Sequence, residues 1–168
     1  MMRSHGTHQP REVWQFGEAD GMFYDAIKKF IELRHRLIPY NYSLAWQATS
    51  QAYTPLRLPA FDFPGDARAL AVTDQLMSGP ALMVCPVLQP MYCEKGSTLL
   101  DGVSKAREAY LPQDSKWFNF WTGTCYTGGR TVIADAPIEK LPLFVWGGSI
   151  LPLSPVMQYV DKQTGRAL

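Results

Sequence analysis

Apolar and polar positions change their rhythm about halfway along the chain. From Met22 to Ser50 the apolar residues Phe23, Ile27, Phe30, Ile31, Leu37, Ile38 and Leu44 recur at spacings that place them on one helical face. Lys28, Lys29, Glu32 and Arg36 fall on the wetter side. Asp20-Gly21 precedes this stretch. Pro39 cannot donate to the helix ladder, so the pattern predicts a kink or break there and a second helical piece beyond it. Arg34, His35 and Arg36 read as a charged helix surface. TPLRLPAFDF then reads as a short buried strand that must end or become irregular at Pro59. Pro64-Gly65 turns the chain, and Asp66 is an N-cap candidate for a helix over ARALAVTDQLM, packed through Ala69, Leu70, Val72 and Leu76. Loop, helix, strand, helix is the rhythm of an α/β unit, open to either a flat sheet or a barrel.

After Gly79 the pattern becomes short strands separated by turns. PALMVCPV is fully apolar and ends near Pro86. KAREAYLP has some helical propensity, but Tyr110-Leu111-Pro112 favours a strand stopping at the proline. WFNFW alternates Trp117, Asn119 and Trp121 against Phe118 and Phe120, with a period of two. Thr122-Gly123 and Gly128-Gly129 mark turns, and RTVIADAP makes the return strand. LPLFVW and SILPLS flank Gly147-Gly148, which predicts a tight connection between two strands, and VMQYV is a further strand-like run. Strands this short and this regularly spaced predict an antiparallel sandwich, left incomplete where the sequence stops at GRAL.

Composition narrows the classes. With 46% hydrophobic and 12% aromatic residues the chain can bury a core, which argues against disorder. Lys and Arg number 16 against 15 Asp and Glu, so no basic stripe invites nucleic acid. No apolar run is long enough to span a bilayer, and no signal-peptide pattern opens the sequence. The compartment is left open, as is the oligomeric state. Three cysteines cannot all pair internally: Cys85 reads as a small buried hydrophobe, and nothing in the spacing forces a Cys93–Cys125 bridge. No Cys or His cluster has metal-ligand spacing, and His5 with His8 is too little for a site.

Four segments in a fixed order carry a resemblance. They are RSHG followed by PREVWQFGE; LRHRLIPYNYSLA; TDQLMSGPALMVCPV; and YLP, WFNFWTG, GG and APIEKLPLFVWGGSILPL. Together they resemble the C-terminal part of the catalytic region of glycoside hydrolase family 31, and the resemblance covers essentially the whole chain. FYDAIKKFIELRHRLIPYNYSLA, DFP, CPVLQPMY and PVMQYVD look most like that family's α-xylosidases. The fold class this implies is α/β plus β: the C-terminal portion of a (β/α)8 TIM barrel followed by the start of an antiparallel β-sandwich. Residues 1–78 would be the loop after barrel strand seven, its helix, strand eight and the last helix; residues 79–168 would open the sandwich. Active sites of such barrels lie on the loops after the strands, and RSHG resembles such a loop.

The resemblance also implies chemistry. The family consists of retaining α-glycosidases, which need two carboxyl groups about 5 Å apart and act without a cofactor. Both are aspartates that lie earlier in the barrel than RSHG, so this chain is expected to contain no catalytic residue and to be inactive alone. It is expected to be a C-terminal fragment, with Met1-Met2 interior to a barrel strand. Among its own acids, Asp62, Asp66 and Asp74 are explained by capping and surface roles, and Glu12 and Glu18 match no catalytic position. His5 corresponds to the histidine that lines the subsite of the released sugar, where an imidazole can hydrogen-bond ring hydroxyls. Arg3 is its companion, approaching either the sugar or acids of the preceding barrel strands. Trp14 is open to two roles, sugar-stacking platform or loop anchor. The Trp117, Phe118, Phe120 and Trp121 cluster is either a carbohydrate surface or, as strand alternation favours, sandwich core. Trp146 stands where the family commonly has a basic residue, so an ion pair made through that position is absent. The expected partner is an oligosaccharide, an α-xyloside or an α-glucoside. The rival from another class is a non-catalytic remnant or sugar-binding β-module.

Overall fold

A computed structural model describes residues 11–95 and 98–157. They divide into two units, one of residues 11–43 with 152–157 and the other of residues 44–151.

The first unit is helical. A 3-10 turn, Val13–Phe16, leads through Asp20, whose φ of 69° is left-handed, to α1 (Met22–Arg36). α2 (Ile38–Gln51) follows after the single residue Leu37 and runs on into the second unit. The break predicted by Pro39 thus falls two residues earlier, at Leu37, because proline is accepted in the first turn of a helix. Ala26 is the buried residue of α1, while Ile27, Phe30 and Ile31 are half-buried and Phe23 is exposed.

Eight short strands make up the second unit. β1 (Leu56–Arg57), β2 (Leu76–Ser78), β3 (Leu82–Val84), β8 (Leu143–Trp146), β5 (Lys116–Asn119) and β6 (Cys125–Thr127) form one sheet in the order β1-β2-β3-β8-β5-β6. β4 (Ala106–Leu111) and β7 (Arg130–Asp135) form a separate ribbon. Every pairing is antiparallel. Gly128-Gly129 turns the chain just ahead of β7. A Cβ on Gly128 would stand 1.9 Å from the Pro112 carbonyl oxygen, and Gly129 has a φ of +78°, so both positions need glycine. Trp117, Phe144, Met77, Met83, Leu111, Cys85 and Phe63 are core residues around which the second unit packs.

Several expectations are corrected here. The stretch TPLRLPAFDF is a two-residue strand and then a 3-10 turn, Pro59–Phe61, since Pro59 offers no donor to a sheet. Asp66 caps as expected, but α3 is only Ala67–Ala71; Leu76 belongs to β2, not to the helix, and Leu70 is exposed. Sheet structure therefore begins at Leu56, earlier than the change of pattern at Gly79. RTVIADAP forms β7, as expected a return strand, and its partner is β4. SILPLS forms no strand: Pro152 and Pro155 remove two donors, and residues 149–157 are irregular. VMQYV lies partly outside the described residues.

Candidate functional site

The segment leading into α1 is the part of the described chain nearest in sequence to the expected sugar-binding loop. His5 and Arg3, like Met1, Met2 and His8, lie outside the described residues. From Arg11 to Asp20 the chain is largely open to solvent. The Gln15 N–H donates to the Glu12 carbonyl at 2.9 Å, which rolls Val13–Phe16 into its turn, and the Gly21 N–H donates to the Glu18 carbonyl at 3.0 Å. Glu12 and Glu18 are both exposed. Trp14 is 66% exposed, and Phe16, two residues on, is exposed as well. Arg34 and Arg36 project into solvent, as their pattern predicts, whereas the Nδ1 of His35 is buried with no hydrogen-bond partner among the described residues.

Each of the three aspartates weighed as a substitute acid has a structural partner. Asp62 accepts from the Arg57 Nε at 2.8 Å and pairs with its second guanidinium nitrogen, while that guanidinium also lies over the Tyr53 ring. Asp74 pairs with Arg107 at 2.6 Å. Asp66 is buried and accepts the N–H groups of Arg68 and Ala69, at 3.0 and 3.2 Å, in an N-cap. It also accepts from the Gln113 N–H at 2.9 Å and the Tyr110 hydroxyl at 2.9 Å. Burial alone would raise its carboxyl, but hydrogen bonds from Gln113, Tyr110, Ala69 and Arg68 outweigh that and hold it below its ordinary value. Burial, with the hydrogen bond and charge of Asp66, raises the Tyr110 phenol in turn. This is a carboxylate fixed by structure, with its lone pairs occupied.

Tyr110 carries a second connection that the sequence does not announce. The buried Gln75 donates its amide to the Tyr110 carbonyl at 2.8 Å and accepts the Tyr110 N–H at 2.6 Å. Its side chain thereby bonds to β4 as a neighbouring strand would. Gln75 stands in the polar run Thr73-Asp74-Gln75, where a solvated side chain is the natural expectation, and its partner 35 residues away left no local signal.

Of the aromatic cluster, Trp117 is core, Phe120 and Trp121 are half-buried and Phe118 is exposed. Trp117 is fully buried, stacks on Trp146 with centroids 6.3 Å apart, and donates its indole N–H to the Pro112 carbonyl at 3.0 Å. Phe63 tilts against both indoles, at 5.8 and 5.0 Å. Trp121 donates its indole N–H to the Leu141 carbonyl at 2.7 Å, and Phe118, on the opposite face of β5 from Trp117, is 37% exposed. Trp146 is thus a packing residue whose N–H donates to Ser115 Oγ at 2.8 Å.

Cys85, Cys93 and Cys125 are all free thiols, with Cys85 buried. Among the described residues no group of three or more His, Cys, Asp or Glu is placed to hold a metal ion, and no helix is long and apolar enough to cross a membrane.

Comparison with known proteins gives this arrangement a context. The family model of the glycosyl hydrolase family 31 C-terminal domain matches residues 52–151, and that of the family 31 TIM-barrel domain matches residues 1–44. The α-xylosidase of Saccharolobus solfataricus is 37% identical over 153 residues, which is 91% of this chain and 19% of the relative. α-Glucosidase 2 of Bacillus thermoamyloliquefaciens is 29% identical over 151 residues, 90% of this chain and 17% of that one. Among solved structures, a family 31 α-xylosidase from Xanthomonas citri superposes with a TM-score of 0.82 at 39% identity, over 95% of this chain and 16% of its own. The chain spans about a fifth of the length of the curated relatives it matches.

Proposed function

The chain belongs to glycoside hydrolase family 31, and from that premise we propose that it forms part of a retaining α-glycosidase releasing terminal α-linked xylose from oligosaccharides. One observation carries the sugar assignment. Both the S. solfataricus and the X. citri α-xylosidases align over nine-tenths or more of this chain, at 37% and 39% identity. In this reading the helical N-terminal part closes a (β/α)8 barrel and the antiparallel sheet opens the sandwich that follows it.

Retention requires one carboxylate to attack the anomeric carbon and a second, about 5 Å away, to protonate the leaving oxygen and then activate water. The family resemblance implies that both are aspartates lying earlier in the barrel than RSHG, so we assign that pair to other parts of the protein. The 168 residues alone are then inactive. His5 and Arg3 form the sugar-facing part of the RSHG loop. His5 hydrogen-bonds ring hydroxyls and so fixes the ring for attack, and replacing it with Ala lowers kcat/KM of the whole enzyme at least about tenfold, the scale of one lost hydrogen bond. We assign Trp14, whose ring is exposed, a sugar-stacking role.

A second reading, an α-glucosidase of the same family, is favoured by the match to α-glucosidase 2. Rates of the whole protein on nitrophenyl α-xyloside and nitrophenyl α-glucoside decide between them. A larger kcat/KM on the xyloside supports the first reading, a larger one on the glucoside transfers the assignment, and no turnover of either by a folded protein refutes both. Saturable binding of a xylose-containing oligosaccharide by the 168-residue chain alone would instead indicate a sugar-binding module.

A further inference from the structure

The joint between α1 and α2 contains a gap in its hydrogen bonding that another segment fills. Pro39 is the second residue of α2 and has no N–H, so the carbonyl four residues before it, that of His35, receives no helical donor from that position. The Leu37 N–H turns toward it but is shared with the Leu33 carbonyl, to which it donates at 3.0 Å. Ser154, far along the sequence but in the same unit, lies against this point. Its hydroxyl donates to the His35 carbonyl at 3.1 Å, with the Arg36 carbonyl at 3.4 Å, and its N–H donates to the Arg36 carbonyl at 2.8 Å. The sequence around it, Leu151-Pro152-Leu153-Ser154-Pro155, is suited to this contact. Proline fixes its own φ and biases the residue before it toward extended backbone, which keeps the Ser154 N–H out of any local helical turn.

We propose that Pro39 and Ser154 form a clasp: the serine hydroxyl replaces the donor that the proline removes, and residues 152–157 are thereby fastened across the α1–α2 joint and hold its bend. The two residues are complementary. A continuous helix would have no unfilled carbonyl there for a hydroxyl to meet. A strap without the hydroxyl would keep only the one backbone hydrogen bond to Arg36.

Native-state hydrogen exchange of the residue 154 amide in the full chain tests this, because that N–H is released only when the strap lifts. Ser154→Ala is expected to raise its exchange rate about fivefold, the change made by one net hydrogen bond. In a Pro39→Ala background the N–H gained at position 39 takes the His35 carbonyl, and the same serine change is expected to have an effect of about twofold or less. Equal effects in the two backgrounds, or no effect of Ser154→Ala beside Pro39, would overturn the clasp. A second pair reads the hydroxyl without touching the proline: Ser154→Thr keeps protection and Ser154→Val, which matches the threonine side chain in shape, loses it. Indistinguishable exchange of the Thr and Val variants would equally refute the proposal.

Discussion

Asp66→Asn tests whether the buried carboxylate acts as the hub of its corner. One oxygen of Asp66 accepts the two capping N–H groups of α3, and the other accepts the Gln113 N–H, with the Tyr110 hydroxyl in reach of both. An asparagine can set its carbonyl at the first position and keep the cap. Its NH2 then faces the Gln113 N–H, donor against donor. The Tyr110 hydroxyl can rotate to accept, so the part-buried Gln113 N–H loses its partner and the bonds that remain lose their charged acceptor. Together these cost about 1.5 kcal/mol, the low end for hydrogen bonds to a charged group. The folded carboxyl titrates below its unfolded value, so its contribution is fully present above the unfolded pKa of about 3.9 and is lost as pH falls through the folded value. A protonated Asp66 has one acceptor and one donor oxygen, much like asparagine. Urea denaturation of both chains should therefore show the full difference at neutral pH and a shrinking one in acid. A difference below about 0.5 kcal/mol at neutral pH, or one that persists unchanged in acid, would refute the hub, since surface changes alone lie within that range.

Two further predictions concern the same core. Gln75→Ala should destabilise the chain by about 2–4 kcal/mol in the same urea assay, because the Tyr110 N–H and carbonyl both lose their buried partner; a loss under about 1 kcal/mol would mean that water takes its place. Burial pushes the Cys85 thiol up to about 12, whereas Cys93 and Cys125 are exposed. Iodoacetamide at mildly alkaline pH should therefore add two adducts to the native chain and a third only after unfolding, as counted by intact mass.

Much of this architecture was legible in the sequence wherever local chemistry settles local geometry. The Asp66 cap, the break near Pro39, the strand ending at Pro112 and the glycine pair before β7 each rest on one residue type with one conformational consequence. The alternation of Trp117 and Phe118 likewise gave their faces. Legibility failed where the deciding partner is remote. Leu76 fits the helical period of α3, and only its pairing with Val84 makes it a strand residue. Gln75 reads as an ordinary polar residue until Tyr110 is beside it. Of the candidate sugar site, the resemblance supplied His5 and Arg3, since a lone imidazole in a polar loop carries no geometry of its own. Of that region the described structure adds the exposure of the Trp14 ring.

The Gln75 amide gives β4 a partner where no strand stands. β4 pairs with β7 along one side. At Tyr110 both backbone groups on its other side are taken by the carboxamide of Gln75, and both residues are buried. One glutamine therefore completes a rung of hydrogen bonding that a further strand would otherwise supply, and satisfies its own buried amide in doing so.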